Sequence, residues 1–271
     1  MKPFFSFIIP TLNEEKFLPR ILNDLKNQKE KNFEVIIVDA YSQDRTKKIA
    51  EKNWQILIKF FKVKKRNVSF QRNFGAKKAK GEYLVFLDAD SRIGKKFTQN
   101  LEKKINQKKG LIFFPSIIPE KKSSQIELVF KLINFFIEVS QSLAKPFSPG
   151  GSIIIDKNFF RKIGGFDETS YLAEDHNLVY KASLFGVRAK ILSQIKVKFS
   201  LRRLKKEGEL KFVYKYLYAA IYFLSKGKVD KKIFDYPMGG QEYENLKDIS
   251  VTGNFQRYLR KIRKFFIKYL N

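Results

Sequence analysis

Leu84-Val85-Phe86-Leu87-Asp88-Ala89-Asp90 is a run of four apolar residues closed by two carboxylates two residues apart. With Tyr83 ahead of it, so short and continuous an apolar run predicts a strand over 83–87 that is buried on both faces. Two earlier stretches share this design. Phe4-Phe5-Ser6-Phe7-Ile8-Ile9 ends at Pro10 and runs into Thr11-Leu12-Asn13-Glu14-Glu15, and Phe33 to Val38 ends at Asp39-Ala40-Tyr41-Ser42-Gln43-Asp44. A weaker strand is expected over 55–60.

Helical patterns separate these strands. Asn13 is the expected cap of a helix whose apolar positions are Phe17, Leu18, Ile21, Leu22 and Leu25. Thr46 to Lys52 predicts a short helix, and Ser69 is the expected cap of one holding Phe70, Phe74 and Ala76. Alternation of apolar strands with helices implies an α/β protein with a mostly parallel, Rossmann-like central sheet covered by helices on both faces. Ligands of such sheets bind beyond the carboxyl ends of the strands. The residues standing there are Thr11, Asn13 and Glu14, then Asp39, Ser42 and Asp44, then Asp88 and Asp90.

The second half reads differently. Ile126 to Ala144 predicts a long helix with one narrow polar stripe of Glu127, Lys131, Asn134 and Glu138, expected to pack on the domain. Ile153-Ile154-Ile155 predicts a strand, Gly164-Gly165 the end of a helix over 159–163, and Glu174-Asp175 the start of another. The expected division is 1–115 and 116–205 as two halves of one domain, then a basic helical extension over 206–271.

Of 271 residues, 44% are hydrophobic, enough for a sizeable core, and none is cysteine, which excludes disulfides and thiolate metal sites. That fits a reducing, cytoplasmic setting, and no signal peptide is expected ahead of the first strand. No window offers the ~20 apolar residues that span a bilayer; Leu210 to Leu224 is broken by Lys211 and Lys215. The net charge of +28 draws polyanions of any kind. Phe255 to Leu270 places aromatic and aliphatic residues on one helical face and Arg257, Arg260, Lys261, Arg263, Lys264 and Lys268 on the other. Packing on the domain and contact with an anionic membrane surface, at the inner face, are both open for it.

Taken alone, Asp88-Ala89-Asp90 is a pair of hard oxygen ligands for a divalent cation or a strand end closed by an Asx-turn. Together with the acids after the two earlier strands and Arg72-Asn73-Phe74-Gly75-Ala76, it resembles the family 2 glycosyltransferases, over residues 4 to 205. The resemblance implies the GT-A fold and an inverting, metal-dependent transfer of sugar from a nucleoside-diphosphate donor to an acceptor hydroxyl, a lipid-linked acceptor being one option. It implies that Pro10, Thr11 and Glu14 line the nucleoside pocket, that Asp39 meets the base, and that Arg72 lies beside the nucleotide. Asp88, with Ala89 after it, would face ribose and diphosphate and touch the metal (Mg²⁺ or Mn²⁺), with Asp90 its direct ligand. Gly151, in Gly150-Gly151-Ser152, would stand near the donor sugar and acceptor. Of Glu174-Asp175, the second acid resembles the catalytic base; an acidic first helical turn favoured by the helix dipole is the plainer reading. Arg202 and Arg203 resemble a diphosphate-contacting segment, or form a solvated basic turn. The Gln-x-x-Arg-Trp pattern of processive members is missing, the single tryptophan being Trp54.

Two other functions compete. Nucleic-acid binding is suggested by charge alone and would set rows of carboxylates against phosphates; it is not expected. A sugar nucleotidyltransferase would need a glycine-rich, arginine-bearing loop where Pro10-Thr11-Leu12-Asn13-Glu14 stands.

Overall fold

The computed structural model describes residues 2–121, 124–170, 172–202, 222 and 239–243. Among them, eight strands form one sheet: β1 (Phe5–Thr11), β2 (Phe33–Asp39), β3 (Ile58–Lys62), β4 (Tyr83–Phe86), β5 (Arg92–Ile93), β6 (Ile112–Pro119), β7 (Ile153–Asp156) and β8 (Lys190–Phe199). Their order is β3-β2-β1-β4-β7-β6-β8-β5. The first four are mutually parallel, β7 runs antiparallel to both β4 and β6, and β6 is parallel to β8. The sheet is therefore two regions joined at the β4–β7 pair. The helices are α1 (Leu18–Lys26), α2 (Thr46–Ala50), α3 (Val68–Lys78), α4 (Phe97–Lys108), α5 (Ser124–Ser140), α6 (Lys157–Lys162) and α7 (Glu174–Leu184).

Alternation along β1 divides the core. Phe5, Phe7 and Ile9 enter one apolar cluster with Leu18, Ile21, Leu22 and Leu25 of α1 and Leu101 and Ile105 of α4. Ile8 enters the other, with Ala76 of α3, Phe159 and Phe160 of α6, and Leu178 and Val179 of α7. Both faces are thus covered, as the continuous apolarity of the strands requires.

Local details depart from the sequence reading for identifiable reasons. Asn67, not Ser69, caps α3, its side chain accepting from the Phe70 amide at 2.8 Å. Asn13 caps nothing: it lies in a left-handed conformation (φ 51°), and α1 begins at Leu18 without a side-chain cap. The third strand starts at Ile58 because Gln55 is itself left-handed (φ 55°). Helix α4 and strands β5, β6 and β8 stand where the sequence reading assigns no element. Gly164 and Gly165 do end α6, at φ 75° and 62°. Gly75 lets α3 lie close on the sheet, since a β-carbon there would come 2.6 Å from Ile8 Cγ2. Arg203, the stretches 210–224 and 255–270, and nearly all of 206–271 lie outside the described residues.

Candidate active site

Parallel register brings the ends of the first strands together: Thr11 stands opposite Asp39. The Thr11 hydroxyl donates to Asp39 Oδ1 at 2.9 Å, and the Ser42 amide donates to Oδ2 at 2.9 Å. Gln71 of α3 ties the same edge, donating from Nε2 to the carbonyls of Thr11 and Val38 at 3.0 and 2.7 Å. The loops after β1 and β2 are laced to each other. Asn13 N donates to Ser42 Oγ, Gln43 N to Asn13 Oδ1, Glu14 N to Thr46 Oγ1 and Glu15 N to Asp44 Oδ2, all within 3.0 Å. Asp39 is thereby buried and engaged by Thr11 of β1 and Ser42 of its own loop.

Arg72, on α3 and 3% exposed, is the hub of the site. Its guanidinium donates from one terminal nitrogen to Asp88 Oδ1 at 2.8 Å and from the other to Glu174 Oε1 at 2.7 Å. It also lies over the Phe166 ring, 5.3 Å from its centroid. Burial opposes the charge, but Asp88, Glu174 and Asp175 together hold it firmly protonated. The turn after β4 is closed by backbone, Ser91 N donating to the Asp88 carbonyl at 3.0 Å, so the Asp88 side chain is not spent on an Asx-turn. Gly151 presses directly on it: any β-carbon there would collide with the Asp88 carboxylate. Here the requirement for glycine is close approach, for the backbone of Gly151 does not demand a positive φ.

A second guanidinium bridges the other pair of acids. Arg202 grips Glu14 with both terminal nitrogens, at 2.8 and 3.0 Å, while its Nε lies 2.8 Å from Asp90 Oδ2. It stacks on Phe17 at 4.7 Å. Burial pushes the Glu14 carboxyl up to about 7 despite this partner, with Asp90 and Asp88 adding to the rise. Gly240, from a distant part of the chain, closes over this loop: its amide donates to the Leu12 carbonyl at 2.9 Å, and a β-carbon would strike the Asn13 carbonyl.

The first turn of α7 supplies two further acids, Glu174 and Asp175. Ala173, just before it, is left-handed (φ 58°), a conformation costly for a residue with a β-carbon and held by its surroundings. Burial raises the Glu174 carboxyl, with Arg72 pulling against it. Burial would raise Asp175 too, but His176, Arg72 and the Ser148 hydroxyl outweigh it and hold that carboxyl below the ordinary range. His176 Nδ1 lies 3.3 Å from Asp175 Oδ2, and the imidazole meets the Phe147 ring edge-on at 5.3 Å. Successive residues of a helix point about 100° apart, yet the His176 and Asp175 side chains touch. Burial works to neutralise the imidazole, and Asp175 more than offsets it, so His176 titrates above its usual value.

The structure thus assembles Thr11, Glu14, Asp39, Arg72, Asp88, Asp90, Gly151, Glu174, Asp175 and Arg202 along one edge of the sheet. Pro10 lies half-buried in β1 and Ala89 is buried between the two acids. Sequence reasoning missed Gln71, Ser148 and Gly240, and took the sole histidine, His176, for a surface residue or a support to its neighbour. Of the missed residues Gln71 carried a signal, being adjacent to Arg72, a site residue already singled out.

The chain is similar to proteins of known kind. The family model described as glycosyl transferase family 2 matches residues 6–164. The chain is 26% identical over 217 residues to the poly(ribitol-phosphate) beta-N-acetylglucosaminyltransferase TarS of Staphylococcus aureus, covering 76% of this chain and 36% of that protein. It is 28% identical over 144 residues to the GalNAc(5)-diNAcBac-PP-undecaprenol beta-1,3-glucosyltransferase of Campylobacter jejuni, covering 51% of this chain and 46% of that protein. The chain therefore spans less than half the length of either. Among solved structures, a mannosyltransferase from Pyrobaculum calidifontis in complex with GDP-Man and Mn²⁺ superposes with a TM-score of 0.61 at 19% identity, over 80% of this chain and 65% of that one. That likeness establishes the GT-A fold. With the family model spanning more than half of its residues, the chain belongs to glycosyl transferase family 2.

Proposed function

We propose that this chain is a metal-dependent, inverting glycosyltransferase that moves a sugar from a nucleoside-diphosphate donor to a hydroxyl of a membrane-proximal, lipid-linked acceptor. The observation that carries the proposal is the Arg72 fork. One guanidinium joins Asp88, at the donor end of β4, to Glu174, at the head of the helix that carries Asp175. Donor and acceptor chemistry are held in one rigid frame.

In this reading the nucleoside lies along Pro10, Thr11, Glu14 and Asp39, and Asp88 faces the ribose and diphosphate. Among the described residues no three His, Cys, Asp or Glu side chains converge as a metal cage. The two carboxylates of Asp88 and Asp90 suit Mg²⁺ or Mn²⁺ all the same, because such ions are commonly held by one or two carboxylates plus substrate phosphates. When bound, the ion neutralises the charge gathering on the departing diphosphate. Arg202, now paired with Asp90, is placed to turn to the same phosphates, and Arg203 would support it. Asp175 takes the proton of the acceptor hydroxyl as its oxygen attacks the anomeric carbon. The bond to the diphosphate oxygen breaks with its electron pair, and one in-line displacement inverts the configuration. The pairing with His176 keeps Asp175 ionised. Glu174 positions the helix through Arg72.

Among the described residues no helix is long and apolar enough to cross a membrane. A peripheral place on the cytoplasmic face is proposed from the charge and from the basic amphipathic stretch 255–270. The Campylobacter relative is named for an undecaprenol-linked acceptor, which supports the acceptor class proposed.

Thermal-shift titration with UDP, GDP and dTDP tests the donor site. One of the three should stabilise the protein in Mn²⁺ or Mg²⁺ and not in EDTA, by about 2.7 kcal/mol at a hundredfold excess over Kd. Asp90→Ala should abolish the metal-dependent part. Absence of any metal-dependent shift across the panel would remove the donor site as described.

A further inference from the structure

Helix α5 is apolar nearly all round, and only one of its apolar faces is used. Phe130 and Ile137 are buried, and Asn134 pins the helix to β6 by exchanging hydrogen bonds with the Ile117 backbone. On the opposite side Leu128, Leu132, Phe135, Phe136 and Val139 are exposed, Phe135 and Phe136 by 59% and 62%. At 100° per residue, these five fall within an arc of about 100°. Lys131 and Glu138 lie together along one border of the arc and do not interrupt it. The patch continues past the helix. Leu143, Leu184 and Phe185 are exposed as well. They are held beside one another where Arg188 donates to the Leu143 carbonyl at 2.7 Å and Ser183 Oγ to that of Ala144 at 3.4 Å.

We infer that this face is the surface by which the protein lies on an anionic lipid bilayer, α5 entering the headgroup boundary with its aromatic and aliphatic side chains. The inference deepens the membrane-proximal acceptor proposed above, on which it rests. Three observations favour lipid over a second copy of the chain. A net charge of +28 repels another copy and attracts an anionic surface. The end of the patch around Leu143 and Phe185 is basic, with Lys162 set 5.6 Å over the Phe185 ring and Arg188 bonded to the Leu143 carbonyl. The patch is also too small for a stable dimer, whose interface takes roughly 20–30 residues a side. A single amphipathic helix with aromatic anchors is sufficient for a bilayer boundary.

The same face is wired to the acceptor side of the site. Gln141, at the end of α5, donates to the Phe147 carbonyl at 2.9 Å, and the Phe147 amide donates to Ser140 Oγ at 2.9 Å. Phe147 meets His176, Ser148 bonds Asp175, and Gly151 follows against Asp88. A lipid-linked acceptor held at the bilayer by this face would enter beside Asp175.

Flotation of the full chain on phosphatidylcholine vesicles, with and without phosphatidylglycerol, tests this. The parent should float with the anionic vesicles, and Phe135→Glu/Phe136→Glu should lower its partition at least about tenfold. Both positions are exposed, so the fold should hold; an unchanged metal-dependent nucleotide shift in the variant confirms that it does. A Phe136→Trp variant should show quenching by brominated lipid beyond that of Trp54. Equal flotation of parent and variant, or no flotation of the parent, would overturn the inference. So would a parent that is dimeric in solution and a monomeric double variant with flotation unchanged, which would make the face an interface between copies. Because flotation reads lipid binding without any transfer, its failure leaves the nucleotide-binding test of the donor site standing.

Discussion

Replacing Asp175 with asparagine should lower the transfer rate at saturating donor by about 10²–10⁴-fold, the usual range for loss of a positioned base. Metal-dependent nucleotide binding should stay near the parent level. Asparagine preserves the size of the side chain and the contact with Ser148, so a drop in rate reports proton transfer rather than collapse of the first turn of α7. The pH profile adds a second readout. His176 and Arg72 hold the Asp175 carboxyl below its ordinary value, so the base remains ionised well into acid and the acid limb of kcat should not arise from it near neutrality. For stability the sign is the usual one for a depressed carboxylate: the contribution is present above the unfolded value and is lost as pH falls through the folded one. Transfer retained in Asp175→Asn would remove this residue as the base.

Arg72→Met should cost about 3 kcal/mol of stability, read as a lower urea midpoint. That is the lower end of the range for breaking a buried ion pair, because the Asp88 side chain is 39% exposed and can take up water. Glu174, at 16%, cannot do so as readily, and burial already raises its carboxyl. Adding Glu174→Gln to Arg72→Met should therefore recover part of the loss, since an amide left without its partner costs less than a buried charge. If the double variant is no more stable than Arg72→Met, Glu174 is not the group that Arg72 neutralises. Activity should fall with either variant, as Asp88 and the head of α7 lose their common tether.

How far the molecule could be read in advance depended on whether its signals were local. Strand ends at Asp39 and Asp88 were legible because burial on both faces forces continuous apolarity, and its end is abrupt. The same logic failed for β8, Lys190–Phe199, where buried and exposed residues alternate irregularly through a register shift in its pairing with β6. Helix α4 has only Phe97, Leu101 and Ile105 as an apolar stripe among lysines, too sparse to stand out. The candidate site residues could be singled out because of their types and order. Their partners did not: that Arg202 would clasp Glu14 across 188 positions, or Arg72 reach Glu174 across 102, depends on how the second half of the chain folds back over the first. Asn67 won the cap from Ser69 for a local reason. Its side chain reaches the Phe70 amide from an extended backbone, and this leaves Ser69 buried within the helix.

The lacing between the loops after β1 and β2 bears on how this protein could be re-engineered. Asn13, Glu14 and Glu15 find their partners in Ser42, Gln43, Asp44 and Thr46, and Arg45 returns to Glu15 at 2.9 Å. The loop after β2 has bonds of its own, from Ser42 to Asp39 and from Thr46 to Asp44, yet each loop also satisfies amides of the other. A graft that imports one of them from a protein with a different nucleotide preference would leave several amides on the other without acceptors. Exchange of base selectivity should succeed only when both loops are transplanted as a matched set.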